Sequence, residues 1–327
     1  MLTLFLMLNR DGIVKACTKA DRITSKELIQ SLWSDYGEII RYTLSGAVYS
    51  SIVVKHIKIS ELKIHPKGWS TSNSHARKVK SYEVEGNWYQ FYEGILSSKL
   101  RMPKLIELIK EGGEIILILE DLDHKGFSVR EKKASIFELK QCISWLATLH
   151  GNTLLSESTG LWSRGTYWHL QTRIDEYNAM EDSPLKSCSN QIDSILNRVK
   201  YKCILHGDPK LANFCFHNSD DSVAGLDFQY TGSGCGMQDL VYLIGSAISP
   251  EACFQYENEL IEFYFHELKK HVKNVDFNAL KKEWSPLFTI AWADFNRFLM
   301  GWMPGHEKLN KYSDHITLRA LDTLEKY

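Results

Sequence analysis

His206-Gly207-Asp208-Pro209-Lys210-Leu211-Ala212-Asn213, followed downstream by Leu226-Asp227-Phe228, is the stretch on which the reading of the chain turns. The apolar run Tyr201 to Leu205 leads into His206, and a second strand-like run from Val223 ends at Asp227, so the polar groups fall where strands give way to loops. These two runs predict a hairpin that gathers Asp208, Asn213 and Asp227 at one edge. Two carboxylates and an amide in such a cluster suit phosphoryl transfer, which needs an acceptor for a hydroxyl proton and oxygen ligands for Mg2+, with little further covalent chemistry from the protein. Asp208 fits the first task, and Asn213 with Asp227 fits the second. Singly, each residue also has an ordinary reading, because Asp before Pro and a loop Asn are common turn chemistry. Together they are hard to explain that way.

His-x-Asp-x-x-x-x-Asn followed by a strand ending in Asp-Phe resembles the catalytic and metal loops of the protein-kinase-like superfamily. Asp227-Phe228-Gln229 in place of Asp-Phe-Gly, with Asp239-Leu240 further on, resembles the choline kinase and aminoglycoside phosphotransferase group, nearest its ecdysteroid-kinase-like branch. The resemblance implies an α+β, two-lobed fold. A small, mainly β N-lobe (1–119) would cover the nucleotide, and a larger, mainly α C-lobe (120–327) would carry the hinge, the catalytic loop and the substrate pocket. It also implies ATP and Mg2+ as cofactors and a hydroxyl of a small molecule as phosphate acceptor. In that frame Asp208 orients and deprotonates the acceptor, Lys210 resembles the lysine that meets the transferring phosphate, Asn213 and Asp227 hold the metal, and His206 organises the loop. Asp239 resembles a structural aspartate. Gln229 and the lack of a downstream Ala-Pro-Glu segment argue against a protein kinase.

Upstream, Glu38 to Leu44 and Val48 to Ile57 read as strands joined at Ser45-Gly46-Ala47, after a short helix predicted over Ser25 to Trp33. Lys55, in the β-branched run Ile52-Val-Val-Lys55-His-Ile57, resembles the strand lysine that anchors ATP phosphates, with a plain edge-strand lysine as the alternative. Gly68 to Ser74 reads as a polar linker and His75 to Tyr92 as a helix. Its Glu85, four residues before Tyr89, resembles the glutamate that pairs with the strand lysine. Glu83 competes, and on a helix the two point about 200° apart, so only one faces Lys55. Glu114 to Leu119 is an apolar strand, after which Glu120-Asp121-Leu122 resembles the hinge; adenine would then pair with the backbone of Glu120 and Leu122. No Gly-x-Gly-x-x-Gly precedes Lys55. That departure motivates the alternative of a catalytically idle, nucleotide-binding or interaction module.

With 327 residues, 44% of them apolar, and a net charge of -1, the chain is expected to be soluble and globular, with enough length for two cores. Thirty-nine basic residues against 40 acidic ones leave no electrostatic footprint for nucleic acid. The apolar start Met1 to Leu8 is too short to span a bilayer and reads as a packed strand or helix start, so no membrane insertion is expected. Seven irregularly spaced cysteines suit a reducing, cytoplasmic compartment. Cys203-x-x-His206 and Cys215-x-His217 lack the partners that would complete a zinc tetrahedron. Val129 to His150 carries a helical apolar face closed by Gly151, and Trp284, Phe288, Trp292, Phe295 and Leu299 form an apolar stripe on one late helix. Trp292 and Asp294 lie where the resembled group builds acceptor pockets. Gly165 to His169 is an aromatic cluster that reads as a packed helix start, with the wall of a substrate pocket as the alternative, and Gly232 to Gly236 reads as a flexible loop after the metal aspartate. Oligomeric state leaves no mark in the sequence.

Overall fold

A computed structural model describes residues 9–32, 36–59, 71–96 and 100–324. The expectation for Met1 to Leu8 lies outside these. The described residues divide into two compact units, one within Met1–Gly94 and Met102–Ser128, the other within Ile95–Arg101 and Val129–Tyr327.

The first unit opens with helix α1 (Arg10–Thr18), whose N-cap Asn9 accepts the Gly12 N–H. Strands β1 (Arg22–Ser31), β2 (Gly37–Ser45) and β3 (Ser51–Lys58) follow. Helix α2 (Thr71–Phe91) leads to β4 (Leu105–Glu111) and β5 (Glu114–Glu120). The five strands make one antiparallel sheet in the order β1-β2-β3-β5-β4. β-Branched residues suit the central strands because their side chains pack on both pleated faces. Ile52, Val54, Ile116 and Ile118 accordingly form a core with Ile40, Tyr42, Leu44 and the α1 residues Ile13 and Val14.

β1 replaces the helix expected over Ser25 to Trp33, of which Trp33 itself lies outside the described residues. Register shifts at Ile23/Ser25 and Leu28/Gln30 break its alternation, and almost all of it is exposed, so no period of two was there to read. Pairing with β2 overrides local preference, helped by Ser25 Oγ, which donates to Thr43 Oγ1 at 2.8 Å.

The second unit is mainly helical. Helix α3 (Ile136–Asn152) starts later than expected because Ser135 and Glu138 form a reciprocal capping box, and Gly151 lies inside it with Thr153 as the C-cap. Helices α4 (Ile174–Ala179) and α5 (Pro184–Asn197) lead into β6 (Cys203–Leu205). Strands β7 (Phe214–Phe216), β8 (Val223–Gly225) and β9 (Gly232–Gly234) follow, then helix α6 (Gly236–Ala247). The expected single hairpin is instead two nested ladders, β6 with β9 and β7 with β8. Gly232 to Gly234 is therefore strand, and Gly236 opens α6.

Helices α7 (Pro250–Lys269), α8 (Phe277–Trp284), α9 (Leu287–Trp302) and α10 (Lys311–Leu324) complete the chain. The late aromatic stripe is split between α8 and α9 at Ser285-Pro286, since a proline ends one helix and starts the next more readily than it continues either. α9 is buried along nearly its whole length and packs on α4, α5, α6 and α10. A cluster of Trp168, Tyr242, Phe295, Phe298 and Leu299 forms where it meets α6. Gly165 to His169 runs as irregular chain into that cluster, and its last residue, His169, is the N-cap of a one-turn 3-10 helix over Leu170–Thr172.

Candidate active site

In the second unit the site is hung from Asp239, in the first turn of α6, where a carboxylate is favoured by the helix dipole. Its Oδ2 accepts the His206 N–H at 2.6 Å and its Oδ1 accepts the Gly207 N–H at 3.0 Å. His150 Nε2 lies 3.1 Å from Oδ2, and His150 Nδ1 lies 2.8 Å from the Tyr264 hydroxyl. Asp239, fully buried, thus satisfies two loop donors that would otherwise be costly to bury. Gly207 has φ +82°, and a Cβ there would stand 1.9 Å from the Tyr230 carbonyl oxygen, so only glycine fits this turn.

His206 joins the two loops. Burial lowers the pKa of its imidazole and keeps the ring neutral. Nε2 lies 3.0 Å from the Leu226 carbonyl and Nδ1 3.3 Å from the Asp208 N–H, so the tautomer protonated at Nε2 satisfies both contacts. The ring positions Asp208 against the segment leading to Asp227 and needs no chemistry of its own.

Asp208 is 7% exposed. Its Oδ2 accepts from Lys210 Nζ and from Asn213 Nδ2, each at 3.3 Å, while its Oδ1 is buried with no hydrogen-bond partner among the described residues. Burial raises the pKa of the carboxyl, opposed by Lys210 and reinforced by Asp227. One oxygen is thus fixed by Lys210 and Asn213, and the Tyr242 hydroxyl lies against the same carboxyl. Lys210 is more open, its side chain 41% exposed, and Asp208 raises its pKa, so it stays charged.

Asn213 closes a one-turn 3-10 helix over Leu211–Asn213, immediately before β7. Its Nδ2 also donates to the Asp208 carbonyl at 2.8 Å, which leaves Oδ1 as the atom of the amide to offer a ligand. The Leu226 N–H donates to the Asn213 carbonyl at 3.0 Å, so the β7–β8 ladder brings Asn213 and Asp227 side by side. Asp227 adopts φ +69°, a left-handed conformation that Asp tolerates better than most residues. A hard cation is the fitting occupant for an amide oxygen and a carboxylate on one rim. No cluster of three or more His, Cys, Asp or Glu that could hold a metal occurs among the described residues. The zinc reading is excluded at its first pair, because Cys203 Sγ turns to the Gly234 carbonyl and His206 is spent on Leu226 and Asp208.

In the first unit, Lys55 Nζ lies 2.7 Å from Glu85 Oε2, both side chains buried. Glu83 is exposed on the other side of α2. Glu120 is buried at the end of β5, its N–H donating to the Lys104 carbonyl at 2.9 Å. The Leu122 carbonyl accepts from the N–H groups of Lys125 and Phe127, so only its N–H is left for a base. Asp121 pins this segment to the sheet, accepting from Arg41 Nε at 2.9 Å and Ser51 Oγ at 2.6 Å.

Three residues near Asp208 carry no sequence signal. The Tyr167 hydroxyl donates to that of Tyr242 at 3.1 Å, and the field of Asp208 raises the pKa of both phenols beyond what burial does. Lys308, in the connection between α9 and α10, lies over the Tyr242 ring. Of the two late residues expected near an acceptor, Asp294 is tied to Arg297 at 2.9 Å in the core, and Trp292 packs on Tyr312 with 5% of its surface exposed.

The profile of the ecdysteroid kinase-like family matches residues 162–277, which include Asp208, Asn213, Asp227 and Asp239 and make up about a third of the chain. No curated protein matches. Among solved structures, an ethanolamine kinase of Plasmodium vivax is similar at a TM-score of 0.55 and 12% identity, over 98% of this chain and 88% of that one. An aminoglycoside phosphotransferase of Streptomyces rimosus, solved with ADP and streptomycin, is similar at a TM-score of 0.52 and 12% identity, over 91% of this chain and 98% of its own. At this identity the likeness is one of fold, shared with these two kinase structures.

Proposed function

We propose that the protein is an ATP-dependent, Mg2+-requiring phosphotransferase whose acceptor is a hydroxyl of a small organic molecule. The observation that carries this reading is Asp208, a buried carboxylate with Oδ2 held by Lys210 and Asn213 and with Oδ1 not engaged by any such donor. Asp208 would orient the acceptor hydroxyl and take its proton as the oxygen attacks the terminal phosphorus; the bond from that phosphorus to the nucleoside diphosphate breaks, and the diphosphate leaves. Lys210 would meet the transferring group with fixed positive charge. Asn213 and Asp227 would hold Mg2+, which supplies charge neutralisation to the phosphates. Lys55, oriented by Glu85, would anchor the nucleotide phosphates. Glu120 and Leu122 would offer backbone groups to the base. The ADP complex of the Streptomyces rimosus enzyme supports a nucleotide for this fold.

A second reading has one observation in its favour. The turn between β2 and β3 contains a single glycine, Gly46, so the covering loop is less suited to wrapping phosphates, and a module that binds nucleotide without transfer remains in play. Asp208→Asn separates the two. A carboxylate that works at the transition state should, when removed, leave Mg2+-ATP binding near the parent's and slow phosphorylation of a screened hydroxyl compound by roughly a hundredfold or more. Turnover by Asp208→Asn at the parental rate would remove Asp208 from the chemistry.

A further inference from the structure

The connection between α9 and α10 delivers a lysine to the neighbourhood of Asp208. Its backbone is held in place, the Lys308 N–H donating to His306 Nδ1 at 3.1 Å and Asn310 Nδ2 donating to the Lys308 carbonyl at 3.3 Å. Leu309 anchors the connection on the aromatic cluster of Trp168, Tyr242 and Phe295. The side chain of Lys308 turns inward and lines a small cavity with Trp292, Phe295 and Tyr312. Its ammonium stands 4.5 Å from the centre of the Tyr242 ring and 5.6 Å from that of Phe295.

An exposed loop offers a lysine every chance to reach water, so a half-buried side chain turned onto two rings needs a reason. No carboxylate among the described residues lies within ion-pair distance of it. Burial pulls its pKa down to about 8, with Asp208 opposing and Lys210 reinforcing that shift. It is still mostly charged at neutral pH. What holds it is the pair of ring faces, whose quadrupoles attract a cation. The same two faces, beside the proposed base, are where an ammonium group of a ligand would find its best contact. Lys308 occupies that position from within the chain and repels a second cation.

We propose that Lys308 selects the acceptor by charge: the group adjoining the reacting hydroxyl is neutral or anionic, and amino alcohols are shut out because the protein's own ammonium fills the aromatic position they need. The assignment to an acceptor rests on the phosphotransferase reading, whereas the exclusion of cations by Lys308 is testable without it.

The test is a calorimetric titration of the full chain with tetramethylammonium, which needs neither nucleotide nor turnover. The parent should show no saturable binding at millimolar concentration. Lys308→Ala and Lys308→Met, the second keeping the apolar stem should the first fail to fold, should gain at least about tenfold in affinity as the ring faces are freed. Lys308→Arg, which keeps the charge and stacks on the rings, should stay closed. If Lys308→Met binds tetramethylammonium no better than the parent, the proposal is overturned. It is equally overturned if the parent phosphorylates an amino alcohol in preference to uncharged polyols and hydroxy acids. A gain in cation binding without any Mg2+-ATP response in the parent would instead sink the phosphotransferase reading and leave the role of Lys308 in excluding cations standing.

Discussion

Burial of the Asp208 carboxylate comes at the expense of stability. Because burial raises its pKa, the folded state prefers the neutral acid over the carboxylate. For a raised carboxyl the sign runs against ionisation. Its contribution is fully present below the unfolded value, near 3.8, and is lost as pH climbs through the folded value. Asp208→Asn keeps the shape and removes the charge, and the ion pair it gives up involves a Lys210 side chain 41% exposed, where such pairs contribute little. The variant should therefore be more stable than the parent at pH 7, with the difference closing as the pH falls through the folded value and gone below the unfolded value, near 3.8. Urea denaturation at several pH values measures this. A variant less stable than the parent at pH 7 would mean that hydrogen bonds to the ionised oxygens outweigh desolvation.

At the scale of elements, α2 and β3 hold a buried pair whose register the sequence left open between two glutamates. With Lys55 Nζ at 2.7 Å from Glu85, truncation of Glu85 breaks a buried ion pair, which typically costs about 3–5 kcal/mol. Glu85→Ala should lose stability on that scale, and Glu83→Ala, on the exposed face, should stay within about 0.5 kcal/mol of the parent. The reverse ranking in denaturant titrations would place α2 in the wrong register. Elements whose pattern is written locally were legible: β3 and β5 in their β-branched runs, and the coming together of Asp208 and Asn213 in their spacing. β1 was not, because two register shifts erase its alternation and pairing with β2 supplies the stability that propensity lacks. The nesting of β6–β9 around β7–β8 was missed because strand partners are fixed by loops folding back and leave no periodicity. Tyr242 and Lys308 reach Asp208 through the packing of helices far apart in the chain, so no spacing announces them.

Over the whole molecule, 39 basic and 40 acidic residues nearly cancel, so any affinity for a polyphosphate must come from particular side chains rather than from net charge. Four of those side chains, Lys55, Lys210, Asn213 and Asp227, are the ones the proposed reading assigns to nucleotide and metal. A ligand that binds only the folded state stabilises it by RT ln(1 + [L]/Kd), or about 2.7 kcal/mol at about a hundredfold excess over Kd. Mg2+-ATP should accordingly raise the melting temperature of the parent by several degrees, and ATP with chelator should raise it less. Asp227→Asn is the informative variant because asparagine also tolerates the left-handed backbone at φ +69°, so the substitution removes a metal-binding charge without adding strain. It should abolish the magnesium-dependent part of the shift, keep the magnesium-independent part contributed by Lys55, and leave the far-ultraviolet circular dichroism unchanged. Should the variant keep the full magnesium-dependent shift, Asp227 holds no metal and the assignment of the second loop fails, whatever becomes of Asp208.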